Sequence, residues 1–118
     1  MARALDGTGR TVDEYIGELI IEARTDAVAI GLIAFWGKDQ FKLDDNEIEP
    51  FMRKVITALL QQGVKVVRAI DVSLGYGWKL RPEYQLPTVE ATVDKLMEDS
   101  IRFADNEFFA WFTYDVTH

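Results

Sequence analysis

The order of apolar and polar positions divides the chain into six predicted elements. Thr11, with Glu14 three residues later, forms a capping-box pattern, and apolar residues then recur at helical spacing as far as Ala23. This pattern predicts a first helix that ends near Arg24. Residues 1–10 contain two glycines and no periodicity, so they are expected to form a flexible lead-in to a single domain over residues 11–118.

The second element, Ala27 to about Asp39, is apolar on nearly every side. The pattern favours a central buried helix, with Asp26 as its cap. Gly31 and the short length leave a buried strand open for Ala27–Trp36.

The third element is predicted to be a helix with clear boundaries. Asp44 and Glu47 repeat the capping-box pattern, Pro50 comes early, and Gly63 stands where a C-terminal cap belongs. Its apolar stripe consists of Ile48, Phe51, Met52, Val55, Ile56, Leu59 and Leu60.

The second half of the chain mixes strands with one more helix. The β-branched run Val64–Val72 predicts a strand, and the glycines and prolines of Ser73–Pro87 predict a loop or a short hairpin. Thr88 is expected to cap a last helix that ends near Asn106, and Glu107–Val116 reads as an aromatic strand. The core side of that helix is predicted to include Val89, Val93, Leu96, Met97, Ile101 and Ala104.

These elements predict an α+β fold in a definite order. Three N-terminal helices are followed by a strand, a Gly-rich aromatic loop, a helix and a C-terminal strand. The two strands are expected to pair in a small sheet.

The charge of the chain bears on its partners. The 118 residues include 20 acidic and 13 basic ones, which gives a net charge of -7. This balance argues against nucleic acid, because phosphate binding depends on clustered Lys and Arg, and it favours a basic protein partner. A modest net charge also keeps small domains soluble, which is the alternative explanation.

The residue types argue against catalysis. The chain has no cysteine and one histidine, His118, so a nucleophile beside a base or a thiolate metal site is not expected. We therefore predict a protein that is not an enzyme and has no cofactor. Met1–Arg10 lacks the apolar region of a signal peptide, and the run Ala27–Trp36 is shorter than the ~20 residues of a membrane helix, so a cytoplasmic protein is expected.

Two helices carry acidic residues at four-residue spacing. The six residues are Glu14, Glu18, Glu22, Glu90, Asp94 and Glu98. Each trio lines one stripe of its helix, and like charges at this spacing repel by about 0.2–0.5 kcal/mol per pair. The stripes are either a docking surface for a basic partner or solvated faces opposite the core.

Two further groups of residues have functional and structural explanations. An acidic cluster could offer oxygen ligands to a hard cation, but it lacks the spacing of a calcium loop and is explained by helix capping. This cluster contains Asp39, Asp44, Asp45, Asn46, Glu47 and Glu49. The aromatic loop either binds a partner or folds back on the core, and its residues are Tyr76, Trp78, Lys79, Arg81 and Tyr84.

Three helices that precede a strand and a loop can also resemble a winged-helix regulator. A recognition helix should be basic, whereas the third helix offers Arg53 and Lys54 against Glu47 and Glu49. This hypothesis is therefore less favoured than a protein partner.

Three segments of the chain resemble a family of small bacterial proteins of unknown function. They are the run Ala27–Trp36, the helix around Phe51 that ends in Leu59–Gly63, and the strand Val64–Ala69. The resemblance extends to the aromatic strand with Trp111. Some genes of that family lie beside polymorphic or contact-dependent toxin genes, which implies a role as immunity proteins. The resemblance implies no catalytic residues, because immunity proteins act by occlusion.

Charge and resemblance together predict an immunity protein that binds a basic toxin domain, for which a nuclease is the favoured class. The acidic trios would steer the partner, and Tyr76 and Trp78 would be anchors. The alternative is a structural or adaptor domain that docks through the aromatic loop.

Overall fold

The computed structural model describes residues 9–72, 75–102 and 109–114, with the side chains of residues 71–76 outside that description. Within these ranges the chain mixes helices with one antiparallel sheet, so the predicted α+β class is confirmed. The elements are α1 (Val12–Glu22), β1 (Val28–Ala29), α2 (Ile30–Asp39), α3 (Asp45–Gln61), β2 (Lys65–Val72), β3 (Gly75–Leu80), a 3-10 turn (Pro82–Tyr84), α4 (Val89–Arg102) and β4 (Trp111–Thr113).

Both predicted capping boxes are present. The N–H of Glu14 donates to the Thr11 hydroxyl at 3.1 Å, and the N–H of Glu47 donates to the Asp44 carboxylate at 3.1 Å. In each box the glutamate side chain accepts the N–H of the capping residue in return. These side chains satisfy N–H groups that a helix leaves unpaired in its first turn, so α1 and α3 begin where the sequence predicts.

The end of α3 also agrees with the sequence. Gly63 follows the helix with φ +88°, a left-handed conformation in which only glycine avoids a steric cost. This turn leads directly into β2, whose predicted start at Val64 is one residue early.

The second element combines the two predicted alternatives. Val28 and Ala29 form a short strand, and the helix begins at the next residue, Ile30. The N–H of Ile30 donates to the carbonyl of Ala110 at 3.0 Å. The prediction that Asp26 caps this helix is wrong, since its carboxylate accepts the N–H of Ala27 instead.

Helix α2 is not the fully buried helix that its composition predicts. Its buried residues are Ile30, Ile33 and Gly37. Leu32 is 42% and Phe35 52% exposed, because α2 packs on one side only, against α3 and β1. At that contact a Cβ on Gly37 would lie 2.8 Å from the ring of Phe51, so the glycine is needed for the helices to approach.

The sheet has the strand order β1-β4-β2-β3, with every neighbouring pair antiparallel. The two strands that the sequence predicted are β2 and β4, and their expected pairing is confirmed. It runs from Lys65 opposite Thr113 to Val67 opposite Trp111. Beyond Val67, β2 pairs with β3 alone as far as Val72. The β2–β3 hairpin therefore extends past β4 as a two-stranded ribbon.

The predicted aromatic loop is wrong for residues 75–80, which form the edge strand β3. The hairpin, which the sequence left open, is what forms here. Glycines are tolerated in β3 because an edge strand has only one ladder to maintain. The indole of Trp78 packs against that of Trp111, with ring centroids 5.1 Å apart, and this contact fastens the strand to the sheet.

The last helix begins as predicted, because the Thr88 hydroxyl accepts the N–H of Ala91 at 3.0 Å. Ile101 was predicted to face the core but is 78% exposed. Ala104, the predicted helix end near Asn106 and both ends of the predicted strand Glu107–Val116 lie outside the described residues.

The core lies between the helices and one face of the sheet. Val28, Val66 and Phe112 form the sheet side of the core and are at most 1% exposed. Helix α3 lies in contact with α1, α2 and α4, and its Phe51 is fully buried. This arrangement leaves the outer sides of α1, α3 and α4 as one continuous helical surface.

Candidate functional site

Charge is segregated between the helices and the sheet. Helices α1, α3 and α4 carry eleven acidic and four basic residues, a balance equal to the net charge of -7 of the whole chain. The four strands carry one acidic and three basic residues. Asp99 is buried, so ten of the eleven acidic residues lie on the helical surface. This surface is the acidic side of the molecule, and a cationic partner would be attracted to it.

The α1 trio is exposed, but two of its members also serve the fold. Glu14 completes the capping box with Thr11, and the carboxylate of Glu18 accepts a hydrogen bond from Arg10. For Glu22, no cationic group of the described residues lies within ion-pair distance. Glu22 is thus the member of this trio whose charge is least compensated.

The α4 trio is linked to α3 through one arginine. Arg53 donates to Asp94 at 2.6 Å and to Glu49 at 3.0 Å, and these two hydrogen bonds raise the pKa of its guanidinium. Glu90 and Glu98 are exposed and have no cation within ion-pair distance in the described part of the chain. The Arg53–Asp94 ion pair is exposed, and a pair of this kind contributes about 1 kcal/mol or less to stability. The unpaired Glu90 and Glu98 leave most of the acidic charge of this trio available to a partner.

The two trios point to different sides of α3. Asp13 forms an ion pair with Lys54 of α3 at 3.1 Å, which identifies the flank of α1 that borders α3. With about 100° of rotation per residue, Glu14, Glu18 and Glu22 lie roughly 100–180° around α1 from Asp13. The α1 trio therefore faces away from α3, whereas Asp94 of the α4 trio is bonded to α3.

The aromatic anchors are not on the acidic surface. Trp78 is half-buried and pairs with Ala69, on the sheet face of Val67 and Trp111, opposite the face that the helices cover. Tyr76 pairs with Asp71 in the ribbon, and its side chain lies outside the described part of the chain. The structure therefore does not bring the predicted anchors together with the acidic trios.

A buried polar cluster at Tyr84 was missed by the sequence analysis. Tyr84 is 3% exposed, and its hydroxyl donates to Oδ2 of Asp99, itself 5% exposed, at 2.6 Å. Lys95 Nζ lies 3.4 Å from the same oxygen, and Arg102 approaches the other oxygen at 3.9 Å. The sequence signal for this cluster is the i,i+4 spacing of Lys95 and Asp99 on α4, but that spacing alone does not point to Tyr84.

The same cluster, with the neighbouring Arg81, shifts three pKa values. The hydrogen bond from Tyr84 lowers the pKa of Asp99, and Lys95 lowers it further. Burial raises the pKa of the Tyr84 hydroxyl, and the bond to Asp99 adds to that rise. The guanidinium of Arg81 covers the tyrosine ring at 5.4 Å and holds the pKa of Glu83 below its usual value through a hydrogen bond. This cluster ties α4 to the 3-10 turn.

An open groove of about 460 Å³ runs between α1 and α3. Its apolar floor includes Ile16 and Ala58, and Asp13 and Lys54 pair across it. The remaining lining residues are Arg53, Thr57 and Gln61. This groove lies within the acidic helical surface.

The acidic residues 39–49 have structural roles where their contacts are described. Asp44 accepts two backbone N–H groups of α3, and Asp39 bonds the side chain of Gln40. Across the described ranges, no three Asp, Glu, His or Cys side chains come together as a metal site would need. Nor does any helix of those ranges have the length and apolar character needed to cross a bilayer.

No protein-family model, curated protein or solved structure matches this chain.

Proposed function

We propose that this chain is a non-catalytic immunity-type protein that binds a basic toxin domain and occludes its active site or substrate groove. The observation that carries the proposal is the segregation of charge, with eleven acidic against four basic residues on α1, α3 and α4. A nuclease is the toxin class with the matching chemistry, because its substrate groove must be basic to bind phosphates. Carboxylates on the helical surface would take the place of those phosphates.

The acidic residues act mainly on the rate of encounter. Charges of one sign on one side of a protein raise the association rate with an oppositely charged partner by about 10–1000-fold at low salt. Glu22, Glu90 and Glu98 contribute most, since no described cation compensates them and, unlike Glu14, they accept no capping N–H. Occlusion itself then depends on the surface that the partner covers.

The proposal predicts slower association when the trios are neutralised. We expect that changing Glu14, Glu18, Glu22, Glu90 and Glu98 to Gln, and Asp94 to Asn, slows binding at least about tenfold at low salt and little at high salt. Gln can replace Glu in a capping box, and Asn can still accept from Arg53, so the fold should be retained. The measurement is stopped-flow association with the basic protein that the chain retains from lysate of its own organism.

Each trio can also be neutralised separately. The two resulting triple variants are matched controls for each other, because each removes three negative charges. Since the trios point to different sides of α3, the trio facing the partner should account for most of the loss. Inhibition of the partner's toxic activity by the purified chain would support occlusion. An association rate unchanged at low salt in the six-residue variant would exclude steering by these residues.

The adaptor hypothesis makes a different prediction for the same partner assay. Binding that survives high salt and is lost in Trp78→Ala would favour it, because apolar contacts are little affected by ionic screening. The sheet face carrying Trp78 would then be the interface in place of the helices.

A further inference from the structure

Two cations lie directly opposite each other where the ribbon begins. Arg68 of β2 pairs with Lys79 of β3, and both residues are exposed. Like charges that face each other across a pair of strands destabilise the pairing. Among the described residues, no acidic group lies within ion-pair distance of either cation. The pair therefore costs stability, and no described ion pair compensates that cost.

Protection of the sheet edge explains only one member of this pair. The sheet of the described residues ends at β3, and a lysine on an edge strand discourages pairing with other chains. Lys79 fits that role. Arg68 does not, because it lies one strand further in and weakens the pairing that holds the edge strand in place. The combination favours a ligand that brings negative charge to both side chains.

The backbone of β3 is arranged to pair with a further strand. The N–H of Arg81 donates to the carbonyl of Val66 at 3.1 Å. Hydrogen-bonded pairs alternate along an antiparallel ladder, so Arg68 and Lys79 form the next such pair. Leu80 lies between these pairs, so its N–H and carbonyl point away from β2. A residue added opposite Lys79 would form a non-hydrogen-bonded pair with it, in which side chains lie closest.

The charge of the strands determines which segment fits this edge. The described side chains of β2 and β3 include three cations, Lys65, Arg68 and Lys79, and no acid. A strand with Asp or Glu opposite Lys79 is complementary to them. The described strands of a second copy carry the same cations, and its acidic surface is helical, so a second copy fits poorly. The net charge of -7 disfavours a nucleic acid.

We propose that the open edge of β3 binds an extended acidic segment of a partner protein as a further antiparallel strand. Addition of a strand to a sheet edge is a common mode of peptide recognition, in which main-chain hydrogen bonds give affinity and side chains give specificity. The acidic side chains would lie beside Lys79 and Arg68, and the intervening ones would lie beside Leu80, which is 37% exposed. This inference is independent of the proposed basic partner, which would bind the helical surface.

The test uses the full chain and two synthetic peptides of about eight residues, within the usual range of strand lengths. Valine alternates with Glu in the glutamate peptide and with Lys in the lysine peptide. Fluorescence anisotropy at low salt should show binding of the labelled glutamate peptide and at least about tenfold weaker binding of the lysine peptide. Lys79→Glu should weaken binding of the glutamate peptide about tenfold.

Lys38→Glu is the matched control for the change of charge. Lys38 is exposed, and no acid of the described ranges forms an ion pair with it. It lies on α2, which packs against β1 at the opposite end of the sheet from β3. The glutamate peptide should bind this variant and the wild type equally.

Methylation of the peptide nitrogens separates strand addition from attraction between charges alone. In the proposed register the glutamates stand opposite Lys79 and its neighbours on the same face, so their N–H groups point away from β3 and those of the valines point towards it. Methylating the valine nitrogens should abolish binding, and methylating the glutamate nitrogens should retain it. Binding that withstands both changes, or that is lost only on methylation of the glutamates, would overturn strand addition.

Arg68→Glu separates a binding effect from misfolding. The change replaces a repulsive pair with an attractive one, so the thermal unfolding midpoint should rise by about 2–5 °C. The new carboxylate would compete for Lys79, so the affinity of the glutamate peptide should fall several-fold in this more stable variant. A larger loss in Arg68→Glu than in Lys79→Glu would place the segment beside β2 and overturn its assignment to β3.

Other results would also overturn the inference. Equal affinity for the two peptides, or no binding of the glutamate peptide at low salt, would remove the argument from charge. Equal affinity of that peptide for wild type and Lys79→Glu would exclude the edge of β3. A DNA duplex that displaces the peptide and that Lys79→Glu does not bind would assign the ribbon to nucleic acid. A dimer that sedimentation detects and that Lys79→Glu dissociates would assign it to a second copy.

Discussion

Replacing Phe51 with alanine is expected to lower the free energy of unfolding by about 3–5 kcal/mol, the usual range for deleting a buried aromatic ring. The ring is fully buried, and its centroid lies 5.5 Å from that of Phe41 and 6.1 Å from that of Tyr15. It also fills the space that Gly37 leaves on α2. The loss should therefore combine the transfer of the ring to water with a cavity where α1, α2 and α3 meet.

Chemical denaturation followed by circular dichroism would measure this loss. Phe35→Ala is the matched control, because Phe35 is 52% exposed on α2 and its removal should change stability by about 0.5 kcal/mol or less. If Phe51→Ala leaves too little folded protein to analyse, Phe51→Leu should show a smaller loss in the same direction. Similar effects at positions 51 and 35 would contradict the placement of the core around α3.

Replacing Tyr84 with phenylalanine is expected to cost about 1–3 kcal/mol near neutral pH, because Asp99 would stay buried without its main hydrogen-bond donor. Lys95 and Arg102 would still compensate part of its charge. This loss of stability should depend on pH, because the pKa values of Tyr84 and Asp99 are both shifted in the folded state.

The sign of this dependence follows from the two pKa shifts. The pKa of Asp99 is lowered in the folded state, so its contribution is complete above its unfolded pKa of about 4 and is lost as the pH falls through the folded value. The pKa of Tyr84 is raised, so its contribution is complete below about 10 and is lost as the pH rises towards the folded value. The difference in stability between wild type and Tyr84→Phe should therefore be largest between about pH 5 and 9.

Urea denaturation at a series of pH values would measure this difference. Asp99→Asn separates the acidic part of the pH dependence from the alkaline part, because its amide oxygen can still accept from Tyr84 but does not titrate. Its stability should no longer fall at acidic pH through residue 99, and it should still fall at alkaline pH through Tyr84. A difference between wild type and Tyr84→Phe that is constant from pH 3 to 10 would contradict a stabilising Tyr84–Asp99 bond.

The parts of the fold that depend on local interactions could be predicted from the sequence. The capping boxes at Thr11 and Asp44 and the glycine turn at Gly63 involve residues at most a few positions apart, and the structure has all three. For residues 75–80 the sequence left both a loop and a short hairpin open, because glycines weaken an isolated strand. What favours the strand β3 is its pairing with β2 together with the contact between Trp78 and the distant Trp111. Helical spacing placed Ile101 on the core side of α4, but this residue, in the last turn of the helix, is 78% exposed.

The residue types of the candidate site could be predicted from the sequence, but much of their arrangement in space could not. Helical spacing placed each acidic trio on one stripe, and all six residues are exposed. The pairing of Arg53 with Asp94 joins residues that are 41 positions apart, and the separation of Trp78 from the acidic helices depends on sheet register. The groove between α1 and α3 results from the packing of two helices, which periodicity in either one does not reveal.

The junction of β1 and α2 has a consequence for how the molecule opens. Since the helix starts at the residue after the strand, and the first helical N–H is bonded to the carbonyl of Ala110, no connecting segment can unfold by itself between them. Fraying of this helix end would require the sheet to separate at β4 in the same event. The amide of Ile30 should accordingly exchange its hydrogen only through cooperative opening, as slowly as the amides of the central strands, although it is the first in its helix.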